Sequence, residues 1–131
     1  MNMKMDKILA EISAGELIDK ITILEIKKEK INNKEKLAEV NKELLSLNET
    51  LKKSINDESK IINFKNDLKN VNLKLWDIED GKRSAEKNNK FDEKFVELAR
   101  NVYKFNDERA KIKLAINNTL GSNIKEVKSY E

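Results

Sequence analysis

Residues 91–120, FDEKFVELARNVYKFNDERAKIKLAINNTL, decide the reading of this chain. Asp92 stands where a helix N-cap belongs, and Gly121 follows where a left-handed stop belongs. Between them Phe95, Leu98, Val102, Phe105, Ile112 and Ile116 recur at the three- and four-residue intervals that gather side chains on one helix face. The spacing predicts one long helix over 92–120, with its stripe forming the seam of a bundle. That stripe is interrupted, because Asn106, Arg109, Lys113 and Asn117 lie in it or beside it. Charge on an apolar face is costly unless it is paired. A polar cluster set into a seam is therefore the first sign of a site.

The sequence upstream extends the same pattern. Ser13-x-x-Glu16 has the spacing of a capping box and starts a helix over 14–31. Leu17, Ile21, Leu24 and Ile31 form its main stripe, while Ile23 and Ile26 fall on nearly the opposite side. A helix apolar on two faces is buried between neighbours or at a subunit interface. Asn32-Asn33 breaks the pattern, and a second helix over 34–55 carries Leu37, Val40, Leu44, Leu47, Leu51 and Ile55 as a heptad-like seam. A third helix begins near Lys60, with Ser59 as its cap and Phe64, Leu68, Val71, Leu75 and Ile78 as its stripe. Gly81 either ends it or is tolerated at about 1 kcal/mol; the prediction is 60–80, with a turn at Asn88-Asn89. Phe91 and Val96 have the spacing of a staple around the Asp92 cap. Residues 1–12 read as a short arm and 121–131 as a tail, so the expectation is a single helical domain over 1–131.

Composition agrees with an all-α antiparallel bundle of about four main helices, the C-terminal one long. There is no Pro and there are only 3 Gly, so breakers are too scarce for a many-turned β fold. Charged residues make up 39%, but the apolar 38% is periodic, which argues for a salt-bridge-laced helical surface rather than disorder. The net charge of +3 is spread through interleaved Lys and Asp/Glu, so no dedicated nucleic-acid footprint is expected. No Cys and no His exclude disulfides, thiolate nucleophiles, Ser-His-Asp triads and His/Cys zinc sites. Any metal would need oxygen ligands, with magnesium, manganese or calcium as candidates. The opening residues lack the apolar core of a signal peptide, and no window approaches the ~20 apolar residues of a membrane helix. A cytoplasmic location follows as the expectation.

Two polar rows carry the candidate chemistry. In the third helix Asn72, Trp76, Glu79, Arg83 and Glu86 run beside the apolar stripe; in the fourth, Arg100, Tyr103 and Asp107 accompany Asn106, Arg109 and Lys113. If these helices form an antiparallel hairpin about Asn88-Asn89, the rows converge. Glu79, Arg83, Arg100, Asn106 and Arg109 would then share one network. Such a network either fixes helix register or lines a cleft in which Arg reads a phosphate or carboxylate. Arg109, at a seam position, is expected to be at least half buried against Glu16, Asp19 or a pocket of the third helix.

Four stretches also carry a resemblance: GELIDKITILEIK at 15–27, NLKLWDIEDGKRSAE at 72–86, FDEKFVELARNVYKFNDERAKIKLAIN at 91–117 and GSNIKEVKSY at 121–130. Together the chain resembles a family of small all-helical bacterial and phage proteins known only as a domain of unknown function. The resemblance marks as distinctive Glu16, Asp19, Lys20, Glu25, Asn72, Trp76, Glu79, Asp80, Arg83, Glu86, Arg100, Tyr103, Asn106, Asp107, Arg109, Lys113 and Asn117. It implies no activity.

The first functional expectation is a binding module for a phosphate- or carboxylate-bearing small molecule in a charged interhelical cleft. Arg83, Arg100, Arg109 and Lys113 would read the anion, Trp76 and Tyr103 would flank the cleft, Asn72 and Asn106 would supply directional hydrogen bonds, and Glu79 would complete it. The second is an enzyme resembling the magnesium-dependent all-α nucleotide pyrophosphohydrolases, with Glu16, Asp19 and Asp80 as metal ligands. The third is a structural or adaptor protein whose polar rows pair with each other. A homodimer is expected from the two-faced first helix and the coiled-coil-like second.

Overall fold

A computed structural model describes residues 4–127 of the chain. Four helices appear in order: α1 (Ala14–Lys30), α2 (Lys34–Ser54), α3 (Ile62–Lys87) and α4 (Glu93–Leu120), with a 3-10 turn at Glu58–Lys60. Among the described residues there is no strand. The fold is all-α, and its C-terminal helix is the longest.

Each helix starts on a side chain suited to the task or on a turn that replaces one. Ser13 accepts the Glu16 amide at 3.1 Å, Asn33 accepts that of Lys36 at 3.0 Å, and Asp92 accepts that of Phe95 at 3.3 Å. Between α2 and α3 the cap is Asp57, which holds the 3-10 turn through Ser59, so α3 begins at Ile62 and not at Lys60. Gly121 ends α4 in the left-handed region at φ 64°, as its lack of a Cβ allows. Two expected terminal contacts are replaced. Glu16 sends its carboxylate to Lys113 and Lys20, and Phe91 meets Phe95 edge-on at 5.2 Å while Val96 is exposed.

α3 does not stop at Gly81 but continues to Lys87. The glycine lies against α4: a Cβ there would come within 3.1 Å of Leu98 Cδ1. Gly81 is thus accommodated in mid-helix beside Leu98, and the break falls at Asn89, which takes φ 53°. α3 and α4 form the expected antiparallel hairpin. Gly81 faces Leu98 and Lys74 stands over Phe105, a register slightly further along than a turn centred on Asn88-Asn89 gives.

α1 packs against each of the other three helices. Leu17, Ile18, Ile21 and Leu24 join Val40, Leu44 and Leu51 of α2, Leu68 of α3, Ile116 of α4 and the connecting Ile61 in one core. Each fully buried aliphatic side chain contributes roughly 1.5–3 kcal/mol. The other face of α1, with Ile23 and Ile26, turns toward Leu75 and Trp76 of α3. Of the features that suggested a homodimer, Ile26 on the second face of α1 and Val40, Leu44 and Leu51 on the seam of α2 are buried within the chain, while Ile23, Leu37, Leu47 and Ile55 are half-buried. Glu25–Lys65 and Glu29–Lys69 tie α1 to α3 at the surface, where such pairs contribute little.

Candidate functional site

The site is built where α1 meets α4. Asp19 is fully buried, with 0% exposure. Its carboxylate takes the Arg109 guanidinium as a fork: Nε lies 3.0 Å from Oδ1 and 3.1 Å from Oδ2, and Nη2 closes on Oδ2. Asn72 Nδ2 donates to Asp19 Oδ1 at 2.9 Å and to Thr22 Oγ1 at 3.0 Å. The Thr22 hydroxyl in turn donates to the Asp19 carbonyl at 2.8 Å. One helix turn along α4, Lys113 is buried to 7% exposure and reaches Glu16 at 2.7 Å, Glu126 at 2.9 Å and Asp19 at 3.7 Å. Among the described residues no buried side-chain polar atom lacks a partner.

The first turn of α1 is closed in the same way. The Ala14 amide donates to Ser122 Oγ at 3.0 Å and the Gly15 amide to Asn117 Oδ1 at 2.6 Å. With Glu16 capped by Ser13, the free amides that make a helix N-terminus attract anions are already occupied. Contact with α4 is close enough that a Cβ on Gly15 would lie 2.5 Å from the Lys113 carbonyl oxygen.

Both cations are held in the charged form. The Asp19 hydrogen bonds push Arg109 above its ordinary value, against burial and with help from the fields of Asp19, Glu16 and Glu126. For Lys113, burial is the largest single influence and opposes the charge. The hydrogen bonds of Glu16 and Glu126, with the fields of Asp19 and Glu16, outweigh it, and the ammonium sits above the usual lysine range.

Two clefts open on either side of Arg109, which lines both. The α4 cleft, about 520 Å³, is lined by Tyr103, Asn106 and Lys113 with Glu16 and Glu126. The α3 cleft, about 240 Å³, is lined by Asn72, Trp76, Glu79, Asp80 and Arg83 over Ile23, Ile26 and Leu75. The two polar rows therefore meet only where Asn72 and Arg109 share Asp19, and their other members line separate clefts or the surface. α1 lies over the hairpin with its first turns on α4 and Ile23 and Ile26 toward α3, and the Asp19–Arg109 bridge walls the two clefts apart. Trp76 and Tyr103 flank different clefts, and Tyr103 is 76% exposed. Glu79 pairs with Lys82 at 3.6 Å. Arg83 and Arg100 are exposed, and among the described residues neither pairs with a carboxylate. Arg100 lines neither cleft.

The magnesium grouping also comes apart. Glu16 lies in the α4 cleft against Lys113, Asp19 is buried under Arg109, and Asp80 lies in the α3 cleft. Among the described residues no three Asp, Glu, His or Cys side chains are placed to hold a metal. No helix of the described residues is long and apolar enough to cross a membrane.

Two participants, Thr22 and Glu126, were not among the expected site residues, and Asn117 was expected only as part of the polar cluster in the α4 seam. Thr22 gives no sequence signal, because threonine is ordinary inside a helix. Asn117 does, because it continues the polar row of Asn106, Arg109 and Lys113 by one more turn. Glu126 is one acid among many in a polar tail, and nothing local marks it.

The chain belongs to the family of unknown function DUF6165, whose model matches residues 8–131. No curated protein and no solved structure matches it.

Proposed function

We propose that this family member is a binding module for a small molecule that joins an apolar or aromatic body to a phosphate or carboxylate group, held in the α3 cleft. The observation that supports this reading is the placing of Arg109. Its Nε and Nη2 are committed to Asp19, which fixes the guanidinium in a wall of the cleft. Arg83 lines the same cleft and pairs with no carboxylate among the described residues, and Trp76 lines it too. A guanidinium locked by a buried carboxylate is the preorganised donor that oxyanion recognition favours. Asn72 is a positioning residue here, since both donors of its amide are used on Asp19 and Thr22.

Phenyl phosphate, which carries both a ring and an oxyanion, is the probe. Calorimetry with the full chain should give saturable binding tighter than that of inorganic phosphate. Arg83→Ala should weaken it roughly 10–100-fold, the loss of a charge-assisted hydrogen bond. Equal affinity in the parent and Arg83→Ala, or no binding of either probe, would remove the reading.

The structural reading has its own support in the closed pairing of Asp19, Arg109, Lys113 and Glu16. It applies to the network between the clefts and leaves Arg83 and Trp76 without a role.

A further inference from the structure

The α3 cleft is lined by charges of both signs, and two of them are already paired. Arg109 has Asp19 beneath it. Glu79 has Lys82 at 3.6 Å. The two left over, Asp80 and Arg83, are of opposite sign. Among the described residues neither side chain makes an ion pair or hydrogen bond, with the other or with any third group. They stand three residues apart on α3, and on a helix such residues are neighbours with Cβ atoms about 5–6 Å apart. Trp76 stands one turn before Asp80 on the same edge and lines the cleft with both. The surface beneath them is apolar, made by Ile23, Ile26 and Leu75.

We propose that the ligand of the α3 cleft is a zwitterion: an apolar body carrying an ammonium and an oxyanion a few bonds apart, as in an apolar α-amino acid or its phosphonate analogue. Asp80 takes the ammonium, and the Trp76 ring one turn away is its second partner through a cation–π contact. Arg83 takes the oxyanion, with the locked Arg109 beside it. The inference rests on the reading of this cleft as an oxyanion site and names what else its ligand must carry. An anion alone gains Arg83 but is opposed by Asp80 one turn away. A cation alone meets the reverse difficulty. A ligand with one charge of each sign is complementary to both, and it breaks no internal pair on entering, because Asp80 and Arg83 are not bonded to each other.

Two matched pairs of probes are titrated into the full chain while Trp76 emission is followed: 3-phenylpropionate against phenylalanine, and 2-phenylethylphosphonate against 1-amino-2-phenylethylphosphonate. Within each pair only the ammonium differs. It should tighten binding about tenfold in at least one pair, the value of a charge-assisted hydrogen bond; which pair responds tells a carboxylate ligand from a phosphate-like one. Asp80→Asn, a change at an exposed position, should bring the two members of that pair within about twofold of each other, while the probe without the ammonium binds as well as in the parent or better. An ammonium that adds nothing in either pair, or a gain that survives Asp80→Asn, overturns the inference, and binding of the probes without it then leaves the oxyanion reading standing. No response to any of the four overturns the inference as well, and phenyl phosphate then decides the oxyanion reading by itself.

Discussion

Replacing Arg109 by leucine tests what the buried pair contributes. Asp19 is wholly inaccessible to water and would lose its fork. It would keep one hydrogen bond from Asn72 at 2.9 Å and a longer approach from Lys113 at 3.7 Å. Breaking a buried pair on one side costs about 3–5 kcal/mol. Lys113 can lean further toward Asp19, and the Arg109 side chain itself is 30% exposed, so the expected loss lies near the lower end, about 3 kcal/mol. In a chain of this size that is a fall in Tm of about 10 °C. Urea unfolding followed by circular dichroism measures it. The double variant Asp19→Asn with Arg109→Leu should recover about 1–2 kcal/mol of the loss, because no buried charge is then stranded. A single variant within about 1 kcal/mol of the parent, or a double variant that loses the sum of both changes, would refute the reasoning.

Other outcomes follow from the same geometry. Gly15→Ala should lower stability by about 1–3 kcal/mol, because the new Cβ would press within 2.5 Å on the Lys113 carbonyl oxygen, which is backbone and cannot swing aside. Gly81→Ala should be neutral or stabilising by up to about 1 kcal/mol, since its Cβ meets only the far end of the Leu98 side chain at 3.1 Å; thermal melts of the two variants should move apart. Lys113 binds its proton more tightly folded than unfolded, so its contribution is whole below the unfolded value of 10.5 and is lost as pH rises through the higher folded one. Denaturant melts across that alkaline range should show a fall in stability that Lys113→Met lacks. Asn117→Ala should destabilise by about 1 kcal/mol by freeing the Gly15 amide it accepts at 2.6 Å, read by faster hydrogen exchange at the start of α1.

Periodicity carried most of the fold because each helix has a long apolar stripe and a side chain fit to cap or stop it. It misplaced the end of α3 because Gly81 reads as a breaker until Leu98 is seen lying against it. The polar residues of the seam were legible as a group, since Arg109 and Lys113 sit where leucine would be expected and had to be paired. How the two rows relate was not legible. The hairpin alone brings Trp76 and Arg100 to one level, and only the placement of α1 over it sends Asp19 between them. Sequence spacing describes faces within a helix and says nothing of a third helix laid across two. Glu126 was hidden for a related reason: its partner Lys113 lies in a different element, and no periodicity links a tail to a helix face.

Trp76 is the only tryptophan in the chain, and it lines the α3 cleft together with Arg83 and Arg109. Its emission during a titration with phenyl phosphate therefore reads occupancy of that cleft directly. The account predicts a saturable change in the parent that weakens roughly 10–100-fold in Arg83→Ala. A parent whose Trp76 emission does not respond at any concentration, or responds identically in Arg83→Ala, would contradict it.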